Sequence, residues 1–587
     1  MVSDVNNRIW QLQNPDEGLV YRLVHKAGLS DVMARLLVNR GVQTENEARH
    51  FLKPSLRNLL PFDSLPDINI AVDRIIKAIK DREPIVIYGD YDADGVTATA
   101  VLVSFLRSVG ATVKTYQPHR IREGYGLNVD ALQDLYEQGA RLVVVVDLGI
   151  TDSEEVDWAS SRGMEIIVVD HHHIPERLPK ALALLDPLTS EQAEPFHHLT
   201  GVGLAFYLML GLRARLRDEG FFGEKKEPDL RHYLDLVAIG TIADLMPLTG
   251  LNRILVTYGL KELGAERRPG VKALKAVSRL NRKRVTAGQV AFQLAPRLNA
   301  AGRMDDAAIA VNLLVADDPA EAEKLARKLK KFNQERQQVE AHILEEAISI
   351  VEKERMEESY ALVLAGENWH PGVIGIVASR IVDAYSLPTA IISIDGDRGK
   401  GSMRSVRGID AWKALDDCKD CVIGYGGHEM AGGFVVARDM IGAFRKRFNE
   451  AVKSQVSSSD VAMESERRKL LIDMEMELED LDTALMQEMA QLAPHGVGNP
   501  EPLFLARGVA CESARIVGTN HLKFQVQCKS AGSRGKRGLD AIAFGMADRI
   551  EQIKAPVDIA FTPTLSEWEY WERVEIKVKD FRPHKKL

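Results

Sequence analysis

Three apolar runs in this chain each end on an aspartate: PIVIYGD (84–90), RLVVVVD (141–147) and MEIIVVD (164–170). Helical stretches separate them: Val96 to Val109, stopped by Gly110; residues 130–138, closed by Gly139; and residues 152–162, closed by Gly163. ATVKTYQP (111–118) reads as a further strand. Short runs rich in Val and Ile are strands buried on both faces, and their alternation with helices predicts a parallel sheet with covered faces. All strands of such a sheet leave at one edge, where ligands bind. The three terminal aspartates are therefore expected in one place.

The first run continues as YGDYDADGVT, with Asp90, Asp92 and Asp94 at alternate positions before Gly95. An EF-hand loop fails here, because its twelfth position would be Val101 where a bidentate Glu is required. A solvated acidic turn is the bland alternative. The other strand ends argue against it: Asp147 closes one, and Asp170 closes another ahead of His171, His172 and His173. No core requirement gathers these carboxylates, which would repel one another and be costly to desolvate. Divalent cations resolve the repulsion, and carboxylate oxygens with imidazole suit Mn²⁺ or Mg²⁺. Several carboxylates can hold two ions about 3.5–4 Å apart, the arrangement for in-line displacement at a phosphodiester.

The remaining chain reads as a series of domains. Residues 1–70, punctuated by Pro54, Pro61 and Pro66, form a lead segment of the catalytic region, and 71–318 the α/β catalytic domain. From Pro319 to about residue 358 there is no Gly or Pro, while apolar residues keep helical spacing. This is expected to be a long connecting helix (319–358), with coiled-coil dimerisation as the alternative. A second α/β domain (359–453) holds strands YALVLAG and LPTAIISI and a Gly-rich stretch, GYGGHEMAGG, leading into strand FVVA. SQVSSSDVAM (454–463) reads as a linker. From 464 to 587, about five short alternating strands fit an OB-like β-barrel.

Composition narrows the setting. The chain has 587 residues, only four of them Cys, which excludes a disulfide scaffold. Neither a signal peptide nor an apolar run long enough to span a membrane is apparent, so a cytoplasmic protein is expected. No phosphate-binding P-loop or dinucleotide fingerprint points to ATP or NAD. The net charge of −8 argues on average against nucleic acid. The distribution argues otherwise: Arg267 to Arg303 holds ten basic residues and no acid, which is either a solvated face or a phosphate-backbone track. A second basic loop, KSAGSRGKRG (529–538), falls in the barrel region, where Trp568 and Trp571 are either core or base-stacking residues.

These motifs carry a resemblance. DADG (92–95), Asp147, DHH (170–172) and AIGTIADLMPL (238–248) resemble the successive motifs of the DHH phosphoesterase superfamily, and GGHEMAGG (426–433) resembles the DHH-associated domain. PRLNAAGRM (296–304), WHPGVIGIVASR (369–380), GSMRS (401–405) and PHGVGNPEP (494–502) resemble its bacterial single-strand-specific exonucleases. His173 is an extra histidine with no assigned part.

The resemblance implies metal ligands at Asp90, Asp92, Asp94, Asp147, His171 and Asp244, with Asp147 as bridge and two divalent cations, Mn²⁺ or Mg²⁺, as cofactors. Asp170 and His172 would be outer-sphere or proton-transfer groups, with His172 alternatively on the scissile phosphate. Arg380, Ser402 and Arg404 would take a terminal 5′-phosphate, joined in substrate contact by Arg297, Asn299, Arg303, His370, Gly427 and His428. The implied activity is 5′-to-3′ hydrolysis of single-stranded DNA to 5′-mononucleotides in DNA repair and recombination. The expected protein is a monomer working with single-strand-binding protein and a RecQ-type helicase. Two rivals stay open: a relative acting on short oligonucleotides or signalling dinucleotides, and a non-enzymatic scaffold. The region after Met463 weighs against the first, and the filled ligand positions against the second.

Overall fold

The structure, a computed structural model, describes residues 8–223, 226–280, 282–354, 356, 359–456, 469–527, 538–568 and 571–584. The chain forms two compact units. Among described residues, one comprises 60–246 and 258–456, and the other 8–59, 247–257 and 469 onward.

The first unit holds two sheets. One is built from β1 (Ile85–Gly89), β2 (Val113–Tyr116), β3 (Leu142–Val146), β4 (Glu165–Val169) and β5 (Ala183–Leu185). All are parallel, in the order β2-β1-β3-β4-β5. Every residue of β1 and β3 is buried, as their unbroken Val/Ile sequences require. Helix α1 (Ala93–Ser108) follows β1 at once and is itself buried on nearly all sides, packing on α2 (Gly201–Asp218) and α3 (Leu234–Ala243).

The expected long helix is α5 (Pro319–Glu354), preceded by α4 (Ala295–Met304). It is no free-standing rod. Ala322, Ala326 and Leu329 are buried in its first half, and the helix packs on α4. Ile343, Ala347 and Val351 join a core with Leu362, Trp369 and Val377 of the second sheet's domain. Its apolar face is thus satisfied within its own chain.

The second sheet runs β9-β10-β8-β7-β6, where β6 is Leu362–Glu367, β7 Thr389–Asp395, β8 Arg398–Arg404, β9 Gly424–His428 and β10 Ala431–Ala437. Only β6 and β7 pair in parallel. The Gly-rich stretch expected as a lead-in is itself the β9–β10 hairpin. Gly427 has φ of +149°, and a Cβ there would stand 2.4 Å from Ala431 O, so the hairpin closes only around glycine.

The second unit is centred on a seven-stranded sheet rather than the expected five. Its order is β11-β12-β16-β17-β15-β14-β13. The strands are β11 (Met474–Glu475), β12 (Phe504–Val509), β13 (Cys511–Val517), β14 (His521–Gln527), β15 (Gly538–Ala543), β16 (Val557–Trp568) and β17 (Trp571–Pro583). FLARGVACESARIV holds two strands, β12 and β13, parted at Ala510; within β12, Gly508 takes φ of +61° at a register shift between Ala506 and Val509.

Residues 1–70 were expected with the catalytic region; the described residues up to 59 pack with the C-terminal unit instead. Helices Glu17–Ala27 and Asp31–Val38 bury Val20, Leu23, Met33, Leu36 and Leu37 in one core with Met476, Leu492 and Phe504. Arg40 and Asp473 form a buried ion pair at 3.2 Å. Arg253, 2 % exposed, donates to the carbonyls of Phe51, Gln491, Leu492 and Ala493. The linker expected at 454–463 lies mostly, and the 529–538 loop almost entirely, outside the described residues; so do the side chains of Trp568 and Trp571. No helix among the described residues is long and apolar enough to cross a membrane.

Candidate metal centre

The carboxyl edge of the first sheet collects the acids as its topology demands. Asp90 follows β1, Asp147 follows β3 and Asp170 follows β4. Asp92 caps α1, its Oδ1 accepting from the amides of Asp94 at 2.8 Å and Gly95 at 3.2 Å. A Cβ on Gly95 would fall 2.6 Å from Asp90 O, so the turn can fold this tightly only around glycine. Asp94 faces the opening of α2, where Gly201 N donates to Oδ2 at 2.7 Å and Val202 N to Oδ1 at 3.1 Å. Asp147 sits at φ of +64°, a strained value for a non-glycine residue that turns its carboxylate into the cluster. Asp244 closes α3.

His171 stands in the middle. Its Nε2 is 3.1 Å from Asp147 Oδ1, 3.7 Å from Asp244 Oδ2 and 3.9 Å from Asp94 Oδ2. Three sets of groups offer ligand atoms within 4.8 Å of one another: Asp90, Asp92 and Asp147; Asp94, His171 and Asp244; and Asp147, His171 and His172. The electrostatics fit cations. Burial, with repulsion from Asp92, lifts Asp90 to about 8 and Asp94 to about 7. Burial and Asp94 lift Asp244 to about 8, and burial with Asp94 holds Asp147 well above the carboxylate range. Burial, with His172 nearby, depresses His171 to about 4, leaving a neutral imidazole able to ligate. Asp90 Oδ1 is buried without a hydrogen-bond partner. Neutralised or repelling carboxylates around a neutral imidazole are the donor set of a hard divalent cation.

Asp170 is turned away from this set. Its Oδ2 accepts from Ile150 N at 3.0 Å, and its Oδ1 from His172 Nδ1 at 2.6 Å. Burial alone would lower His172, but the Asp170 bond outweighs it and raises the imidazole to about 9. His172 Nε2 lies 3.5 Å from the Tyr125 hydroxyl.

The expected substrate residues are distributed unevenly. Arg404 Nη1 reaches Ser402 Oγ at 3.2 Å, and both crowd Gly375, where a Cβ would meet Ser402 Oγ at 2.9 Å and Arg404 Nη2 at 3.0 Å. Burial, then the charges of Arg120 and Arg404, lowers Arg303 to about 9; burial and Arg120 lower Arg404. Arg303 and Arg404 both reach the segment from Gly372 to Gly375, and Arg120 lies over the Tyr91 ring, against which Gly302, next to Arg303, is packed. Arg380 Nε pairs with Glu340 Oε1 at 3.3 Å. Arg303 also donates to Gly372 O at 3.1 Å, beside His370, whose Nδ1 accepts from Gly372 N. Asn299 Oδ1 accepts from Ala93 N at 2.7 Å, so its oxygen holds the acidic turn. Arg297 donates to Gln293 O. His428, on the β9–β10 hairpin, lies beside the unassigned His173, with ring centroids 5.5 Å apart and planes inclined by 56°.

The basic run from Arg267 to Arg303 is no continuous track. Arg267 pairs with Glu262, Arg268 with Asp235, and Lys275 is buried on Glu266. Sequence reading missed Arg120, which lies over the Tyr91 ring at 4.8 Å. It also missed Asp186 at the end of β5, whose Oδ2 is buried without a partner. The latter carries a readable signal, since it is a fourth strand end bearing an acid.

Comparison with known proteins agrees with this architecture. Family models match in order along the chain: the N-terminal domain of the DHH family at 84–241, the DHHA1 domain at 358–454 and the RecJ OB domain at 472–580. The single-stranded-DNA-specific exonuclease RecJ of Bacillus subtilis strain 168 is 36% identical over 575 residues, covering 97% of this chain and 70% of that protein. Its counterpart in Escherichia coli K12 is 36% identical over 96% of this chain and 95% of its own length. The crystal structure of RecJ from Thermus thermophilus in complex with Mn²⁺ superposes with a TM-score of 0.82 at 30% identity, covering 98% of this chain and 80% of that one. Likeness across all three domains, and at this level over nearly the whole length, places the chain in the RecJ family of single-stranded-DNA-specific exonucleases.

Proposed function

We propose that this protein is a metal-dependent exonuclease that degrades single-stranded DNA from its 5′ end and releases 5′-mononucleotides. The observation that carries the reading is the union, in one unit, of the carboxylate–imidazole cluster with arginines gathered at Gly372–Gly375 (Arg303 and Arg404) and at Tyr91 (Arg120). The first is suited to hydrolysis of a phosphodiester, the second to holding a phosphate in a fixed place.

Asp90, Asp92, Asp94, Asp147, His171 and Asp244 would hold two divalent ions, with Asp147 shared between them. Ions bound there would lower the pKa of a coordinated water and neutralise charge developing on the phosphodiester oxygens. Asp170 fixes His172 through Nδ1 and keeps it protonated, so that Nε2 donates to a phosphoryl oxygen in the crowded, anionic site. Asn299 keeps the acidic turn in register. Arg404, Ser402 and Arg380 receive the terminal 5′-phosphate, with Arg303 and Arg120 added to the set. A pocket that accepts one strand end confines cutting to that end. Arg297, His370, Gly427 and His428 contact the strand, and the OB domain is a further binder of single-stranded DNA. The protein acts in the cytoplasm as a monomer, consistent with the buried apolar face of α5, alongside single-strand-binding protein and a RecQ-type helicase in repair and recombination.

The test is digestion of 5′-labelled and 3′-labelled DNA, single-stranded and duplex, with Mn²⁺ and with EDTA. Immediate release of 5′-labelled mononucleotide from single strands alone, only with metal, is expected. Release first from the 3′ label, or equal cutting of duplex, refutes the reading.

A further inference from the structure

The most exposed large apolar side chain among the described residues is Phe292, at 82%. Its position has a local cause. Residues Val290–Leu294 form a π-helical turn that runs directly into α4, and Ala295 N donates to Val290 O, five residues back. Pro296 has no N–H to give the carbonyl four residues before it, which is that of Phe292, so an ordinary α-turn cannot form there. Val290 and Leu294 remain buried while Phe292 points to solvent. Among the described residues no aromatic ring or cation stacks on it. Single π-turns inside helices recur at functional sites.

The rest of the same helix gives the ring a direction. Arg297 lies one turn on, with its Nε buried and without a hydrogen-bond partner. Asn299 grips the acidic turn at Ala93 N, and Gly302 packs so closely on Tyr91 that a Cβ would stand 2.7 Å from its carbonyl oxygen. Helix α4 is thus docked against the metal centre at its C-terminal half and carries the free aromatic ring at its entry. From Phe292 to Asn299 is about 10 Å at 1.5 Å per residue. That equals about two or three nucleotides at 3.4 Å or more each.

We propose that Phe292 is a stacking platform for a nucleobase of the substrate strand two to three nucleotides from the metal centre, and so a specificity-determining residue for unpaired DNA. A ring offered to a base face requires that face to be unobstructed, which a paired and stacked duplex does not provide. This rests on the reading of single-stranded DNA as substrate.

The test measures binding, separately from cleavage. Single strands with a 5′-phosphate carry one 2-aminopurine, scanned through positions 2 to 6, and are titrated in EDTA with the full-length protein, Phe292→Ala and Phe292→Trp. The native protein should quench 2-aminopurine most strongly at one or two adjacent positions. Phe292→Ala should abolish that quench and weaken binding by about 5- to 100-fold, the range for loss of one base–aromatic stack. Phe292→Trp should keep both. An abasic site at the same position should weaken binding of the native protein but not of Phe292→Ala. Equal quenching by Phe292→Ala, or additive effects of the abasic site and the variant at every position, overturns the proposal. Unchanged thermal melting of Phe292→Ala is expected, since the ring is exposed. Cleavage of unmodified strands by the same native preparation with Mn²⁺ reports separately on the substrate reading.

Discussion

The metal-free protein should lose stability as pH rises from 6 to 8, and Mn²⁺ should remove that loss. Asp90 and Asp244 titrate at about 8 in the folded protein, against an ordinary 3.8, because burial and neighbouring carboxylates penalise their charge. A carboxyl group whose folded pKa is raised binds its proton more tightly folded than unfolded. Its contribution is therefore complete below pH 3.8 and drains away as pH rises towards 8. At about 1.36 kcal/mol per pH unit for each group, the two together should withdraw on the order of 4 kcal/mol between pH 6 and pH 8. At roughly 2 °C per kcal/mol in a unit of this size, the melting temperature should fall by about 8 °C. His172, raised to about 9, acts in the same direction, while the contribution of His171, lowered to about 4, is already complete near pH 6.5. Saturating Mn²⁺ requires the charged carboxylates, so it should flatten or reverse the slope. Scanning calorimetry in EDTA and in Mn²⁺ at pH 6, 7 and 8 reads this directly. Asp244→Asn should make the metal-free slope shallower, since it removes one of the raised carboxyl groups. A metal-free melting temperature that does not move with pH, or equal slopes with and without Mn²⁺, would refute the electrostatic account of the site.

Arg404→Ala should reduce the preference for 5′-phosphorylated over 5′-hydroxyl ends, read as the ratio of kcat/KM values; the predicted loss is about 10- to 100-fold, the worth of one charge-assisted contact of about 1.5–3 kcal/mol. Asn299→Ala removes the acceptor for Ala93 N and should lower kcat about 10-fold with little change in KM, since it loosens the ligand turn and leaves the DNA path intact. Arg253→Met orphans four backbone carbonyls in the second unit and should destabilise it by on the order of 3–5 kcal/mol in urea unfolding followed by tryptophan fluorescence.

Much of the site was legible because it follows from periodicity and one topological rule. Unbroken Val/Ile runs fix β1, β3 and β4 as parallel strands, and the edge rule then gathers Asp90, Asp147 and Asp170 without any knowledge of contacts. Helix α5 was legible because a stretch free of Gly and Pro has few alternatives. What escaped was long-range. Nothing near Asp94 in sequence announces that the amides of Gly201 and Val202 hold its carboxylate, 107 and 108 residues away. Asn299 lies in a motif that suggested substrate contact, and only the fold shows its oxygen committed to Ala93. Arg120 lies in a loop with no periodic signal, and charge composition cannot tell a solvated cation of the basic run from Lys275, whose ammonium is buried on carbonyls. The amphipathic helices of residues 17–38 declared an apolar face but not the core that would receive it.

That last arrangement bears on how this protein can be cut. The unit around the OB domain is woven from three stretches of chain, so it does not detach as a cassette. A stop codon ahead of residue 468 would strip Leu23, Met33, Leu36 and Leu37 of the core they share with Phe504, and deprive Arg253 of three of its four carbonyl acceptors. The remnant would carry two orphaned, greasy stretches, up to residue 59 and 247–257, the second beginning only three residues after Asp244 in sequence. A trimmed enzyme of this kind should be recovered as aggregate unless residues up to 59 are removed and 247–257 resurfaced together.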